Sequence, residues 1–222
     1  MIEEFLGITT ERLWLAAGQT AFMLFWGLVL GAALGVPIGI LLTVTRKGGI
    51  LQNSVVYTVL NYIVNIIRSL PFIILLVAIM PFTKAVVGTR IGTTAALVPL
   101  VFYITPFLAR LIESALLEVD KGIIEAAEAM GATPLQIIFR FMLPEAQSSL
   151  VLAVTTGTIG LLGATAMAGV IGGGGVGDLA LTYGYQQFNT PLMVTTVIVL
   201  IIFVQLIQGI GNHLAKRVRT RQ

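Results

Sequence analysis

The chain has 222 residues, of which 57% are hydrophobic and only 10% are charged. A soluble domain carries about 25% charged residues and a disordered chain has low hydrophobicity, so the composition excludes both classes. We therefore predict an integral membrane protein. Without cysteine and with a single histidine, disulfides, cysteine nucleophiles and a metal site built from cysteine or histidine are not expected. The sequence has no basic stripe interleaved with aromatic residues, and this argues against nucleic acid as a partner.

Charge-free apolar runs predict five membrane-spanning helices, because about 20 apolar residues cross a bilayer as a helix. A spanning segment must satisfy its own backbone, so the predicted fold class is all-α, a polytopic membrane helical bundle forming a single domain over residues 1–222. The second predicted span joins two runs that only Arg68 interrupts. The predicted spans cover residues 14–44, 55–80, 91–112, 148–170 and 192–214.

Lysine and arginine predict the orientation, because they accumulate on the cytoplasmic side of a membrane. With five spans the two ends lie on opposite sides, and a cytoplasmic C-terminus gives the better charge asymmetry. The N-terminus is then outside, and the loop between spans two and three opposes the rule. The cytoplasmic charges would be Arg46, Lys47, Arg110, Lys121, Arg140, Lys216, Arg217, Arg219 and Arg221, against Arg12, Lys84 and Arg90 outside.

In the first span, glycine recurs every four residues, at Gly27, Gly31, Gly35 and Gly39. This spacing places them on one stripe of the helix, where small residues let a neighbouring backbone approach closely. We interpret the stripe as a packing surface and not as a binding site.

The polar segment 113–145, predicted to face the cytoplasm, has the pattern of two short helices joined at Gly131. Glycine ends helices in the left-handed C′ position, Thr133 is a suitable N-cap, and Pro134 fits the first position of the next helix. Two apolar stripes at helical spacing are predicted: Ile123, Ala127 and Met130, then Leu135, Ile138, Phe139 and Met142. From physical chemistry alone, a hairpin lying on the membrane and a docking element for a soluble partner are equally plausible.

Three groups of residues decide between these alternatives. Glu125-Ala126-Ala127 is followed by Gly131, and nine intervening residues then separate Gly131 from Phe141-Met142-Leu143-Pro144. This pattern resembles the EAA motif of ABC importer permeases, with Phe141 in place of the usual isoleucine. Further stretches of the chain are similar to methionine importer permeases. They are residues 68–76, 115–119, 125–134 and 172–179.

The resemblance implies a type I ABC importer permease fold and a function in ATP-driven methionine uptake. It implies a homodimer of permeases, two ATP-binding cassette ATPases and an extracytoplasmic substrate-binding lipoprotein, all at the lipid membrane. ATP and Mg²⁺ would be bound by the ATPase, so this chain needs no cofactor and is no enzyme. The residues expected to couple to the ATPase are Glu125, Ala126, Ala127, Glu128, Gly131, Ala132, Thr133, Pro134, Leu135, Gln136, Leu143 and Pro144.

Two further residues are candidates for the translocation path. Arg68 is an intramembrane charge, which is a functional candidate by default, for contact with the substrate or for stabilising a dimer interface. The structural alternatives are snorkelling, or bonding to backbone carbonyls at a helix break before Pro71. Met167 lies among small residues in the fourth span. A single methionine in an apolar helix is usually a packing residue, whereas the resemblance implies a gate at this position.

The glycine-rich stretch after the fourth span is the candidate contact with the binding protein, namely Gly172, Gly173, Gly174, Gly175 and Asp178. A flexible external turn is the alternative, and Asp178 is either a helix cap or a rim contact. The glycines formally contain GxGxxG, but they follow a helix and no acidic residue lies about 20 positions on, so no dinucleotide site is predicted.

Three other functions compete with methionine import. An ABC permease for another amino acid or small solute would carry the same EAA pattern. A stand-alone secondary transporter or channel predicts inverted repeats or several intramembrane ionisable groups, which the sequence does not display. A non-transporting scaffold leaves the EAA spacing unexplained.

Overall fold

The computed structural model describes residues 7–219, and within them the regular structure is helical. Residues 1–6 and 220–222 lie outside this part, so Arg221 of the charge count has no structural assignment. Turns of other pitch occur at Ile137–Met142 and Leu179–Tyr185 (π-helix) and at Ala168–Ile171 (3₁₀-helix). The α-helices are α1 Thr10–Thr45, α2 Ser54–Ser69, α3 Phe72–Ala78, α4 Met80–Val87, α5 Thr93–Leu117, α6 Lys121–Ala129, α7 Pro134–Gln136, α8 Leu143–Glu145, α9 Gln147–Met167, α10 Val176–Asp178 and α11 Thr190–Arg219.

Among the described residues, four helical segments are long and apolar enough to cross a membrane: α1, α5, α9 with its 3₁₀ extension, and α11. The bent pair of α2 and α3 supplies a fifth span if it is counted as one. The all-α class is therefore confirmed, and the predicted spans correspond to these elements in order.

The prediction of one continuous helix over 55–80 is wrong. α2 ends at Ser69, and α3 leaves at an angle of 102°. Pro71 causes the break, because proline disfavours helical geometry in the residue before it, and Leu70 is accordingly extended with φ −84° and ψ 128°. The helix break considered for Arg68 is thus present, with Arg68 in the last turn of α2.

The third span is longer than predicted and shortens the polar segment. α5 continues to Leu117, so Glu113 belongs to this helix and not to the loop. Glu113 is only 4% exposed, and Arg110, counted among the cytoplasmic charges, lies about 10 Å inside the end of the helix at a rise of 1.5 Å per residue.

The glycine stripe of α1 is a packing surface, as predicted, and three of its four glycines pack against α5. A Cβ at Gly35 would lie 2.7 Å from the Thr105 carbonyl oxygen, and one at Gly39 would lie 2.7 Å from the Ala109 carbonyl oxygen. Gly31 faces the Ile104 side chain in the same way. Small residues are therefore required for the two helix backbones to approach this closely.

Two buried apolar clusters hold the bundle together. The central cluster joins α1, α3, α5 and α9, and its fully buried members include Met23, Leu100, Ile104, Leu108 and Leu161. The second cluster packs the polar segment against the end of α5 through Ile112, Leu116, Ala127, Ile137 and Met142. The polar segment is consequently packed against the spanning helices and is not a detached loop.

Candidate functional site: the helical elbow and its surroundings

The helix–elbow–helix predicted around Gly131 is present. Gly131 has φ +77°, which is the left-handed conformation that glycine adopts at low cost. Its N–H donates to the Glu128 carbonyl (2.9 Å), and the Ala132 N–H donates to the Ala127 carbonyl (3.0 Å). These two bonds form a Schellman motif, so the carbonyls at the end of α6 are satisfied within the elbow.

The helix after the elbow begins as predicted. Thr133 is the N-cap and Pro134 the first residue of α7. The Thr133 N–H donates to Gln136 Oε1 (2.8 Å), while the Gln136 N–H donates to Thr133 Oγ1 (3.4 Å). This reciprocal capping box fixes the direction in which the chain leaves the elbow.

Both predicted apolar stripes are wrong in detail. Ile138 and Met142 are buried, whereas Leu135 and Phe139 are 66% and 64% exposed. The chain is π-helical from Ile137 to Met142, and the wider turn keeps residues four apart on one face but not residues three apart. Met130 is also exposed, at 71%, although the first stripe placed it with buried Ala127.

The exposed side chains form an apolar surface, of which the sequence analysis had assigned only Leu135 to coupling and had missed Met130 and Phe139. Met130, Leu135 and Phe139 are exposed apolar side chains on the elbow, and we call this set the elbow cluster. The helix before the elbow has one buried and one exposed side. Ala127 is buried, whereas Glu125, Ala126 and Glu128 are exposed. Ala132 and the Leu143-Pro144 pair are half-buried, and Thr133, Pro134 and Gln136 are exposed.

A cavity of about 660 Å³ lies between α6 and the loop that joins α1 to α2. Arg46, Lys47 and Lys121 line it together with Glu125 and Glu128. Neither glutamate side chain has a hydrogen bond or ion pair with another described residue, so both carboxylates are open to an external partner.

The glycine-rich stretch is anchored to α1. The Gly175 N–H donates to Gln19 Oε1 and the Val176 N–H donates to Thr20 Oγ1, each at 2.9 Å. Thr20 is fully buried, so removing its hydroxyl would leave the Val176 N–H unsatisfied at a cost of about 1–3 kcal/mol. Hydrogen bonds thus hold this segment in place, unlike the flexible turn considered from sequence.

The members of this stretch differ in accessibility. Gly172 is exposed, Gly174 and Asp178 are half-buried, and Gly173 and Gly175 are buried. Gly175 is the N-cap of α10, so the interpretation of Asp178 as a helix cap is wrong. Asp178 Oδ1 instead accepts a hydrogen bond from Thr182 Oγ1 (2.8 Å).

The two path candidates lie at the ends of different helices. Met167 is the last residue of α9 and is 46% exposed. Arg68 is exposed near the end of α2, and no hydrogen bond or ion pair joins its guanidinium to another described residue. Both side chains are accessible on the surface of the single chain.

A polar network between α2 and α5 was also missed. Arg110 Nη1 donates to Glu113 Oε2 (2.5 Å), and Nη2 donates to Asn61 Oδ1 (2.7 Å) and Asn65 Oδ1 (2.9 Å). The available signal was the placement of Asn61 and Asn65 four residues apart within an apolar run. The contact itself joins residues 45 and 49 positions apart, which periodicity cannot reveal.

Comparison with known proteins gives one family. The model of the binding-protein-dependent transport system inner membrane component family matches residues 35–220. The protein named "Probable D-methionine transport system permease protein MetI" from Vibrio cholerae is 48% identical over 220 residues, covering 99% of this chain and 98% of that relative. The "Methionine import system permease protein MetP" of Bacillus subtilis is 42% identical, covering 94% of each chain.

Solved structures agree with this result. A chain in an inward-facing structure of the MetNI methionine ABC transporter superposes with a TM-score of 0.91 at 45% identity, covering 95% of this chain and 99% of that chain. An amino acid ABC transporter solved with histidines has the same fold, with a TM-score of 0.77 at 18% identity, covering 94% of each chain.

Proposed function

Since the chain belongs to the family of binding-protein-dependent transport system inner membrane components, we propose that it is the permease subunit of an ATP-driven methionine importer. The proposal is supported by relatives named as methionine permeases at 42–48% identity and by the likeness to a chain of the MetNI methionine transporter. It resides in the cell membrane, with its N-terminus outside and its C-terminus in the cytoplasm.

The proposed partners are a second copy of this chain, two ATP-binding cassette ATPases and an extracytoplasmic substrate-binding lipoprotein. The sequence contains no GxxxxGK[ST] phosphate-binding loop, so ATP and Mg²⁺ are assigned to the ATPase. This chain contributes no bond chemistry and requires no cofactor.

The observation that carries the proposed docking of the ATPase is the elbow cluster, together with the buried packing of its neighbours against α5. Three apolar side chains are exposed where Gly131 redirects the chain, and the exposed carboxylates of Glu125 and Glu128 lie on the adjoining helix. Apolar anchors with a polar rim are typical of a protein–protein interface. An ATPase groove that accepts the elbow would bury the cluster and pair with the rim.

Coupling follows from the packing behind the elbow. Ala127, Ile137 and Met142 are buried against the end of α5, so a displacement of the elbow moves α5 with it. Packed interiors resist continuous deformation, and a shift imposed by ATPase closure is therefore passed to the spanning helices. The bundle then opens towards the binding protein, with Met167 and Arg68 as candidates for the path.

The external contact is proposed for the glycine-rich stretch and Asp178. Gly172 and Gly174 present accessible backbone there, while Gly173 and Gly175 support its conformation from inside. The hydrogen bonds to Gln19 and Thr20 link this surface to α1.

Copurification tests the docking surface. We expect the wild-type chain to retain its cognate ATPase through affinity purification in detergent, and Leu135→Asp to retain at least tenfold less, because a carboxylate would enter an apolar groove. Phe188→Asp is the matched control, since Phe188 is 89% exposed just before α11, and the distant end of that helix, at Ala215, is the one that bonds to Ser148 on the elbow side of α9. Equal ATPase retention by the two variants would refute the assignment of the elbow cluster.

A further inference from the structure

Polar residues form a continuous face along α2. They recur at alternating intervals of four and three residues, which places them on one side of a helix. Most of these side chains are exposed, and Asn61 is half-buried. We call this set the polar face of α2, and its members are Ser54, Thr58, Asn61, Asn65 and Arg68.

The polar face cannot be directed at lipid. α2 has 16 residues and a length of about 24 Å, so Asn61 and Asn65 lie within the span and not at its ends. Amide and guanidinium groups in a spanning helix face water-filled cavities or other protein, because exposure to hydrocarbon is costly. The other side of α2 is apolar and exposed at Val59, Ile63 and Ile66, and it suits lipid.

Arg110 orients the two asparagines. A guanidinium only donates hydrogen bonds, so each asparagine must turn its Oδ1 towards Arg110. Asn65 Nδ2 then donates to Asn61 Oδ1 (3.3 Å), which leaves the Asn61 Nδ2 donors and one Asn65 donor directed elsewhere. Arg110 makes three hydrogen bonds, and two of its five N–H groups are uncommitted within the described chain.

The resulting patch offers hydrogen-bond donors and almost no accessible acceptor. Glu113 is 4% exposed, and its buried carboxylate balances the charge of Arg110. Arg68 extends the same face three residues beyond Asn65 and is without an ion pair among the described residues. The two guanidiniums and the one carboxylate leave a single net positive charge, which matches one negative ligand.

We propose that Arg110, Asn61, Asn65 and Arg68 form a carboxylate-binding subsite in the water-filled transport route of this chain. This inference rests on the proposed function and adds to it the part of the substrate that is recognised, the α-carboxylate of the amino acid. A route must bind its substrate favourably enough for entry and weakly enough for release. The ion pair between Arg110 and Glu113 weakens the attraction of this subsite for a carboxylate, and the weaker attraction favours release.

Cysteines introduced one at a time provide the test, because the native chain contains no cysteine that would react in the background. Asn65→Cys and Ile63→Cys lie two residues apart on opposite sides of α2, and each is reconstituted with the ATPase and the binding protein. Two methanethiosulfonate reagents are applied, one carrying a trimethylammonium group and one a sulfonate. We expect labelling at Asn65→Cys and at least tenfold slower labelling at Ile63→Cys.

The charge of the adduct tests the carboxylate preference. At Asn65→Cys the sulfonate adduct is expected to lower substrate uptake at least tenfold relative to the trimethylammonium adduct, because it occupies the donors with a negative charge. Equal uptake after either reagent would overturn the carboxylate assignment, and unlabelled Asn65→Cys beside labelled Ile63→Cys would overturn the placement in the route. Absence of uptake by the unmodified wild-type complex would instead reject the proposed function.

Discussion

Replacing Gly131 with valine is expected to abolish ATP-coupled uptake while leaving the protein in the membrane. The residue has φ +77°, a conformation in which a β-branched side chain is a severe outlier. A Cβ would meet nothing within 4 Å, so the effect comes from the backbone and not from a clash. Loss of the left-handed turn breaks both Schellman bonds and redirects α7 away from the direction that its capping box sets.

A graded series measures this effect. Left-handed geometry costs an ordinary L-residue about 1–2 kcal/mol, whereas asparagine adopts it more readily, so uptake should fall in the order Gly, Asn, Ala, Val. Gly209→Ala is the matched control, since its Cβ also meets nothing within 4 Å and its backbone is helical. Initial uptake rates are divided by the amount of protein in the membrane. Normal uptake by Gly131→Val would show that the elbow is not required for coupling.

Gly39→Ala is expected to destabilise the packing of α1 on α5 strongly. The added methyl would lie 2.7 Å from the Ala109 carbonyl oxygen and 2.8 Å from Ile112 Cβ, so α1 and α5 must separate. Overpacking of this kind costs about 1–3 kcal/mol, or more where backbone is the obstacle. At roughly 2–4 °C per kcal/mol for a chain of this length, a clear fall in Tm follows.

The same helix supplies the control. A Cβ at Gly18 would meet nothing within 4 Å, so Gly18→Ala should keep or slightly raise the Tm. Thermal unfolding of the purified complex and the yield of monodisperse protein are measured for both variants. A Tm for Gly39→Ala equal to that of Gly18→Ala would contradict the packing of α1 on α5.

Local chemistry was sufficient to predict much of this molecule. The glycine stripe, the elbow at Gly131 and the Thr133 cap each depend on neighbours within a few residues, and the structure contains all three. The order of the spanning helices follows from apolar runs in the same local way. The coupling role of the elbow was inferred from resemblance and remains a prediction.

Features that depend on distant contacts or on alternative helical geometry were not predicted. The proline rule applied to Leu70-Pro71 indicates a break, but the 102° angle depends on how α3 packs in the central cluster. The exposure of Leu135 and Phe139 follows from a π-helical turn that an i, i+3, i+4 pattern does not include. The network at Arg110 joins helices far apart in sequence.

The central claim is that this chain carries methionine across the membrane when a separate ATPase drives it. Purified permease, cognate ATPase and binding protein are reconstituted in proteoliposomes, and entry of radiolabelled methionine is followed with ATP on the ATPase side. We predict uptake that requires ATP, the binding protein and an intact Gly131 elbow. Methionine entry at the same rate without ATP, or none with all components present, would contradict the claim.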